Sequence, residues 1–318
     1  MSNGVTRDRM KRLWMGCILA VLLAWGLGAA AAAAPAPETA ERDLTFFVVS
    51  DTHYGLSPRG DETVPKLVDL MNELPGTPYP AAIGGTVGTP RGVIHIGDIT
   101  NDGKTTNWLH FVRDYGLDGK DGRLKYPVYE TFGNHDGGKK LPVREGIKAR
   151  NTKRVGVTNV SENGMHYSWD WDGVHFVVLG ISPGTTKNPY DPEQSTDFAA
   201  KDLAAKVDKS GRPVFLIHHF GFDKEHSWSW WPDEWKTQYH DVIKDYHVIG
   251  ILHGHAHHAQ IYQWEGIDIY HPPHFLQDVK KDGPVTHGIF VFHLTKDTMT
   301  VAEKDLDGKW GMTAKKTF

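Results

Sequence analysis

The chain reads as an α/β protein built around a largely parallel sheet, and three observations carry that reading. Short unbroken apolar runs at 44–50, Val93–Ile96, 126–132 and Val214–Ile217 have the length and residue types of strands buried on both faces. Segments with helical spacing separate the first three, and such alternation implies right-handed crossovers between parallel strands. Each run also ends in Asp, Asn or His, and in parallel sheets chemistry gathers at the carboxyl ends of the strands.

Taken in order, the run 44–50 leads into Asp51-Thr52-His53. Residues 62–73 place Val64, Leu67, Leu70 and Met71 on one helical face, and 75–92, rich in Gly and Pro, reads as a surface loop. Val93–Ile96 ends in Gly97-Asp98. Trp108, Phe111 and Val112 give Thr105–Tyr115 a helical face, and 126–132 runs into Gly133-Asn134-His135-Asp136. In the second half, 165–171 and 174–179 flank Asp172-Gly173, a strong hairpin signal. A helix is expected over 194–207, then Val214–Ile217 ending in His218-His219, and a helix over 233–246. A strand over 248–252 leads into His253-Gly254-His255-Ala256-His257-His258, and strands at 266–271 and 288–294 close the fold. No repeat and no interdomain linker is visible, so 37–318 is expected to be one domain.

Residues 1–36 read as a signal peptide and linker. Arg7, Arg9, Lys11 and Arg12 precede an uncharged apolar run over 13–28, and an alanine-rich stretch then meets Pro35-Ala36-Pro37. A retained anchor is the alternative, because the apolar run is nearly long enough to span a bilayer. The small residues favour cleavage and an exported, periplasmic or extracellular protein. Cys17 is the only cysteine, so the mature chain has no disulfide, and a metal would be held by His, Asp, Glu or Asn. The leader carries four basic residues and one acid, and its loss takes the net charge from -4 to about -7. That balance argues against a polymeric nucleic-acid partner. The chain has 19 histidines, and many of them sit in clusters near the ends of apolar runs, which suggests metal.

The strand ends supply oxygen and nitrogen donors without sulfur: Asp51, His53, Asp98, Asn134, His218, His255 and His257. Asp98, on the strand between those of Asp51 and Asn134, is placed to bridge two divalent ions. Two ions roughly 3.5–4 Å apart would suit in-line displacement at phosphorus by a bridging hydroxide. Within 253–258 the register is open, since His253 and His255 alternate as well as His255 and His257 do.

These motifs resemble the calcineurin-like metallophosphoesterase superfamily. Its ordered signature is matched here by Asp51-Thr-His53, Gly97-Asp98, Gly133-Asn-His-Asp136, His218 and Gly254-His-Ala-His257. The resemblance implies a four-layer α-β-β-α sandwich with two mixed sheets. It implies that Asp51, His53, Asp98 and His257 hold one metal and Asp98, Asn134, His218 and His255 the other, with Mn, Fe or Zn as the ions. His135 would serve the leaving group and Asp136 would orient it. Within the superfamily, purple acid phosphatases carry a Tyr three residues after the bridging Asp, where this chain has Asn101. Protein phosphatases have an Arg that the stretch Gly97-Asp-Ile-Thr-Asn-Asp-Gly103 lacks.

The expected function is therefore a secreted dinuclear-metal phosphoesterase. Its partner would be a small-molecule or lipid-head-group phosphate ester. A non-catalytic scaffold with the same fold, or a nuclease, is the alternative. The stretch 226–235 holds Trp228, Trp230, Trp231 and Trp235, which would form either a hydrophobic plug or a lid that stacks on substrate. Lys139, Lys140 and Arg144 read as phosphate contacts or as a solvated basic face.

Overall fold

The computed structural model describes residues 41–56, 58–138, 141–185, 193–222, 230–273 and 287–318, with side chains of 58–61 excepted. The leader, Lys139, Lys140, His226 and Trp228 lie outside the described residues. From Ala40 onward the chain forms one unit by its contacts.

The first sheet begins with β1 (Asp43–Val49), β2 (Val93–Ile96) and β3 (Val128–Thr131), joined through helices α1 (Pro58–Glu73) and α2 (Thr105–Tyr115). The three strands are parallel neighbours, with Phe47 opposite Val93 and Ile96 opposite Thr131. A 3-10 turn (Asn134–Asp136) and α3 (Pro142–Asn151) lead to β4 (Val157–Val160), β5 (Tyr167–Trp171) and β6 (Val174–Val178). Then follow α4 (Ser195–Lys206), β7 (Val214–Ile217), α5 (Asp233–Ile243), β8 (Val248–Leu252), β9 (Gln260–Trp264) and β10 (Ile267–His271). The chain closes with β11 (Gly288–Thr295), β12 (Thr298–Asp305) and β13 (Trp310–Thr317).

The strands form two sheets, ordered β13-β12-β11-β1-β2-β3 and β4-β5-β6-β7-β8-β10-β9. Both are mixed. β11 runs antiparallel to β1, and β6, β7, β8 and β10 are parallel within a sheet whose edges are antiparallel hairpins. The expected hairpin at Asp172-Gly173 is present. Both residues adopt positive φ, 46° and 79°, which a two-residue turn of matching twist requires.

Strand alternation divides the core in two. Phe46, Val48, Ile94 and Ile96 of the first sheet meet Trp169, Phe176, Phe215 and Ile217 of the second. Phe46 lies edge-on to Phe176 and Phe215 at 5.3 and 5.5 Å, and Tyr129 stacks on Trp169 at 4.3 Å. The opposite faces pack under helices: Val64, Leu67 and Met71 of α1, Phe111 and Tyr115 of α2, and Tyr239 and Ile243 of α5 are buried there. This is the sandwich of two sheets between helices. The sequence pattern did not announce α3, β4, β9, β12 or β13. β4 and most of β13 are half-buried or exposed and carry little hydrophobic alternation. Arg144 of α3 is neither a phosphate contact nor a surface charge, for it is buried with its guanidinium 4.2 Å over the Phe132 ring.

Candidate metal centre

β1 leaves its sheet at Ser50, whose hydroxyl donates to the Ile96 carbonyl at 3.2 Å. Parallel pairing continues into the turns, because Asp51 and His53 donate their N–H groups to the carbonyls of Gly97 and Asp98, both at 3.0 Å. The two motifs are thereby locked side by side. Five polar residues then stand at positive φ: Asp51 at 54°, His53 at 42°, Asp98 at 46°, His255 at 74° and His257 at 59°. That region is sparsely used by residues with a Cβ and costs on the order of 1–3 kcal/mol each. Two motif glycines are required by close approach. A Cβ on Gly133 would stand 2.2 Å from Asp98 Oδ1, and one on Gly254 would stand 2.1 Å from Ser50 Oγ.

Two sets of side chains result. In the first, His53 Nε2 lies 3.8 Å from Asp51 Oδ1, 3.6 Å from Asp98 Oδ2 and 3.4 Å from His257 Nε2. His257 Nε2 is 3.3 Å from Asp51 Oδ1. In the second, His219 Nε2 is 3.2 Å from both Asp98 Oδ2 and Asn134 Oδ1, and the His255 ring lies 5.3 Å from the His219 ring. Within each of the sets Asp51-His53-Asp98-His257 and Asp98-His219-His255, one donor atom per residue falls within 4.8 Å of the others. Asp98 belongs to both. Its Oδ1 accepts the His135 N–H at 2.8 Å, which leaves Oδ2 between the two sets.

The second set corrects one expectation. His218 was the expected ligand, but His219 takes that place. β7 alternates Val214 and Leu216 toward the helices with Phe215 and Ile217 toward the opposite sheet. The His218 N–H still pairs with the Leu252 carbonyl, so the alternation extends one residue and turns His218 toward the helix side. There its ring packs against Trp231 and Tyr239, 5.0 and 5.6 Å away, and its Nδ1 donates to the Phe220 carbonyl at 2.7 Å. Burial pushes its pKa down to about 3. His219 falls on the other side. Its Nδ1–H donates to the Ile96 carbonyl at 2.8 Å, which fixes the ring and offers Nε2 to a cation. The open register of 253–258 also resolves. His253 is buried, bonded to its neighbour's Gly254 carbonyl and to the Tyr262 hydroxyl, and so it faces away.

The expected role of Asp136 is corrected as well. It does not touch the His135 ring. Its carboxylate accepts N–H groups of Ile99, Thr100 and Gly133 at 3.1, 2.8 and 2.9 Å, and thus clamps the turn after Asp98 against the turn that carries Asn134. Burial and the nearby Asp98 charge push its pKa up to about 6. His135 is instead oriented by the Asn101 carbonyl, which accepts from Nδ1 at 2.9 Å. The exposed ring lies edge-on to His53 at 4.7 Å, with Nε2 left for other work.

The donor chemistry fits two cations. Asp51 and Asp98 have no exposed surface, and Asp98 Oδ2 makes no well-directed hydrogen bond. Burial works against the Asp98 charge, but His219 and His53 hold its pKa well below the usual range. Burial likewise opposes charge on His219, yet Asp98 and Asp51 hold its pKa up to about 9. Burial dominates at His53 and keeps it neutral, its pKa down to about 4. Converging nitrogens and carboxylate oxygens at 3.2–3.8 Å, with a proton on His219 as the balancing charge, suit ions that displace that proton.

Carboxylate–imidazole sets that share one aspartate, at the strand ends of a two-sheet sandwich, define a class of metal-dependent hydrolases. The chain belongs to the calcineurin-like phosphoesterase family, whose sequence pattern matches residues 44–259. It is an enzyme of the phosphate-ester hydrolase type. No curated protein sequence matches it significantly. Among solved structures, a dimetal phosphatase from Danio rerio is 12% identical, superposes with a TM-score of 0.54, and is matched over 86% of this chain and 99% of its own. GAP50, the anchor in the inner membrane complex of Plasmodium, is 12% identical with a TM-score of 0.53, over 87% of this chain and 89% of its own. At such identity these likenesses speak for the fold.

Proposed function

We propose that this chain is an exported two-metal phosphoesterase that hydrolyses a phosphomonoester or phosphodiester of a small molecule or lipid head group. The observation that carries this reading is Asp98 Oδ2, buried between two complete sets of donors. Asp51, His53, Asp98 and His257 would hold one ion. Asp98, Asn134, His219 and His255 would hold the other. When bound, two divalent ions such as Mn, Fe or Zn supply charge neutralisation at the phosphoryl oxygens and acidify water into a nucleophile. Asp136 keeps the two turns at their spacing, and Nδ1 of His135 is held by Asn101, so His135 Nε2 can pass a proton to the departing oxygen. Export is read from the basic and apolar leader over 1–36 and the small residues that follow it.

The test is a panel of nitrophenyl monoesters and diesters with Mn, Zn, Fe and Mg, combined with metal analysis. Two ions per active chain are expected. His219→Ala should lose an ion and the activity, whereas His218→Ala should keep both ions. Active enzyme with one ion or none would overturn the two-metal reading, and a chain that binds ions yet cleaves no ester would be a scaffold.

A further inference from the structure

Two buried polar residues beside the first donor set belong to neither set. β2 is apolar apart from His95, which has no exposed surface and whose ring stands edge-on to Phe111 and Tyr115 of α2, both 5.5 Å away. Its Nε2 lies 2.9 Å from the hydroxyl of Thr52, the buried residue between Asp51 and His53. That hydroxyl donates to the carbonyl of Ile99, the residue after Asp98, at 3.0 Å. With its one proton given to Ile99, the hydroxyl accepts from His95, so Nε2 carries the hydrogen. Burial pushes the pKa of this ring down to about 4, which keeps it neutral and leaves Nε2–H as its single donor.

We infer that His95 is a positioning residue for the ion of the first set: through the Thr52 hydroxyl it locks the Asp51–His53 turn against the turn that follows Asp98, and so aims Asp51, His53 and Asp98 at one point. This rests on the two-metal reading of the same site. Asp51 and His53 both stand at positive φ, and such backbone persists only where its surroundings over-determine it. Thr52 is the residue between them, and its side chain crosses from one motif to the other. A free hydroxyl rotates to suit any acceptor; a donor aimed at its oxygen turns the proton toward Ile99, and the rings of α2 hold that donor still. A metal set works only when its donors are held within about 0.5 Å of their places. The effect is selective, because the second set takes Asp98 alone from these two turns, while Asn134, His219 and His255 come from others.

The experiment measures how tightly each ion is held. Wild type, Thr52→Val, Thr52→Ser, His95→Phe and His95→Gln are loaded with Zn and titrated with a chromogenic zinc chelator. Each is also made in two backgrounds that keep one set of donors, His219→Ala for the first and His257→Ala for the second. Thr52→Val keeps the shape of the side chain without its hydroxyl. This variant and His95→Phe should hold the first ion roughly 10–100-fold more weakly, the span for loss of a group that orients metal ligands. The second ion should change far less. Thr52→Ser keeps the hydroxyl and His95→Gln keeps a donor, and each should recover most of the affinity. Thr52→Val combined with His95→Phe should lose little more than either alone, since both cut one tie. Glu130→Gln is the control for general loosening: it removes the buried partner of Arg150 on the adjacent β3 and should leave both ions as they were. Unchanged release in Thr52→Val and His95→Phe, equal loss of both ions, or an equal loss in Glu130→Gln would overturn the inference. If wild type holds one ion and these variants still loosen it, the two-metal reading falls and the positioning role stands; if wild type holds none, both fall.

Discussion

Glu130 and Asp98 are both carboxylates without exposed surface, one within β3 and one just past the adjacent β2, and they are balanced in different ways. Glu130 is closed by the protein's own cations: Arg150 Nε donates to it at 2.7 Å, and the Arg154 guanidinium is paired with it. Burial would raise its pKa, but these two guanidiniums hold it at about 2. The charges that act most strongly on Asp98 and Asp51 belong to histidines. His175 shows that residue type alone is not the distinction. It sits between Asp170 and Asp202 at 2.7 Å each, an Asp-His set that is already satisfied. A buried acid with permanent partners is part of the frame. A buried acid whose only balancing charges are removable protons is a seat for a cation.

Replacing one member of each set tests that distinction, and the largest effect is expected at Asp98. Asp98→Ala should empty at least one ion site and abolish turnover, a loss beyond the roughly 10²–10³-fold of a single electrostatic stabiliser. Stability of the metal-free chain should change far less. Elemental analysis and steady-state rates decide it, and an active variant with both ions would end Asp98's role as the bridge. His135→Ala comes next. Its ions should stay, and the rate should fall by roughly 10²–10⁴-fold, the span for one positioned acid. The loss should shrink for nitrophenolate, which leaves without a proton. Equal losses for good and poor leaving groups would argue against proton delivery.

The smallest effect on chemistry, and a real one on stability, is expected at Glu130. Glu130→Gln leaves two buried guanidiniums without a counter-charge and should cost roughly 3–5 kcal/mol in urea unfolding, with the ion content intact. The same pair sets a pH window. The folded pKa of Glu130 is about 2 against an ordinary 4.5, so its contribution is full above pH 4.5 and is lost as pH falls from there toward 2. Wild type should lose stability over that window and Glu130→Gln should lose less. Parallel curves for the two proteins would show that the pair is not the source.

The sequence makes the parallel half of the fold plain because buried parallel strands are continuous apolar runs and the candidate metal donors follow them directly. Asp51, His53, Asp98, Asn134, His255 and His257 could be named for that reason. His219 could not be chosen over His218 by motif order. The usable signal was strand parity: with Phe215 and Ile217 facing the opposite sheet, the next residue of that parity is His219. The role of Asp136 was hidden for another cause. A carboxylate that holds backbone N–H groups leaves no periodic trace, and only the approach of two distant turns reveals its partners. The exposed edge β13 lacks the burial that creates a pattern.

The positive φ of Asp51, His53, Asp98, His255 and His257 sets this corner of the chain at odds with the rest. Glycine would sit there without strain, so the candidate metal donors stand at positions where the fold alone would prefer another residue. Variants chosen only for heat resistance would therefore drift toward glycine at these sites and shed donors while the sandwich improved. The centre persists against the interest of the scaffold, and a homologue that had given up its chemistry would show it first as relaxed backbone at these five positions.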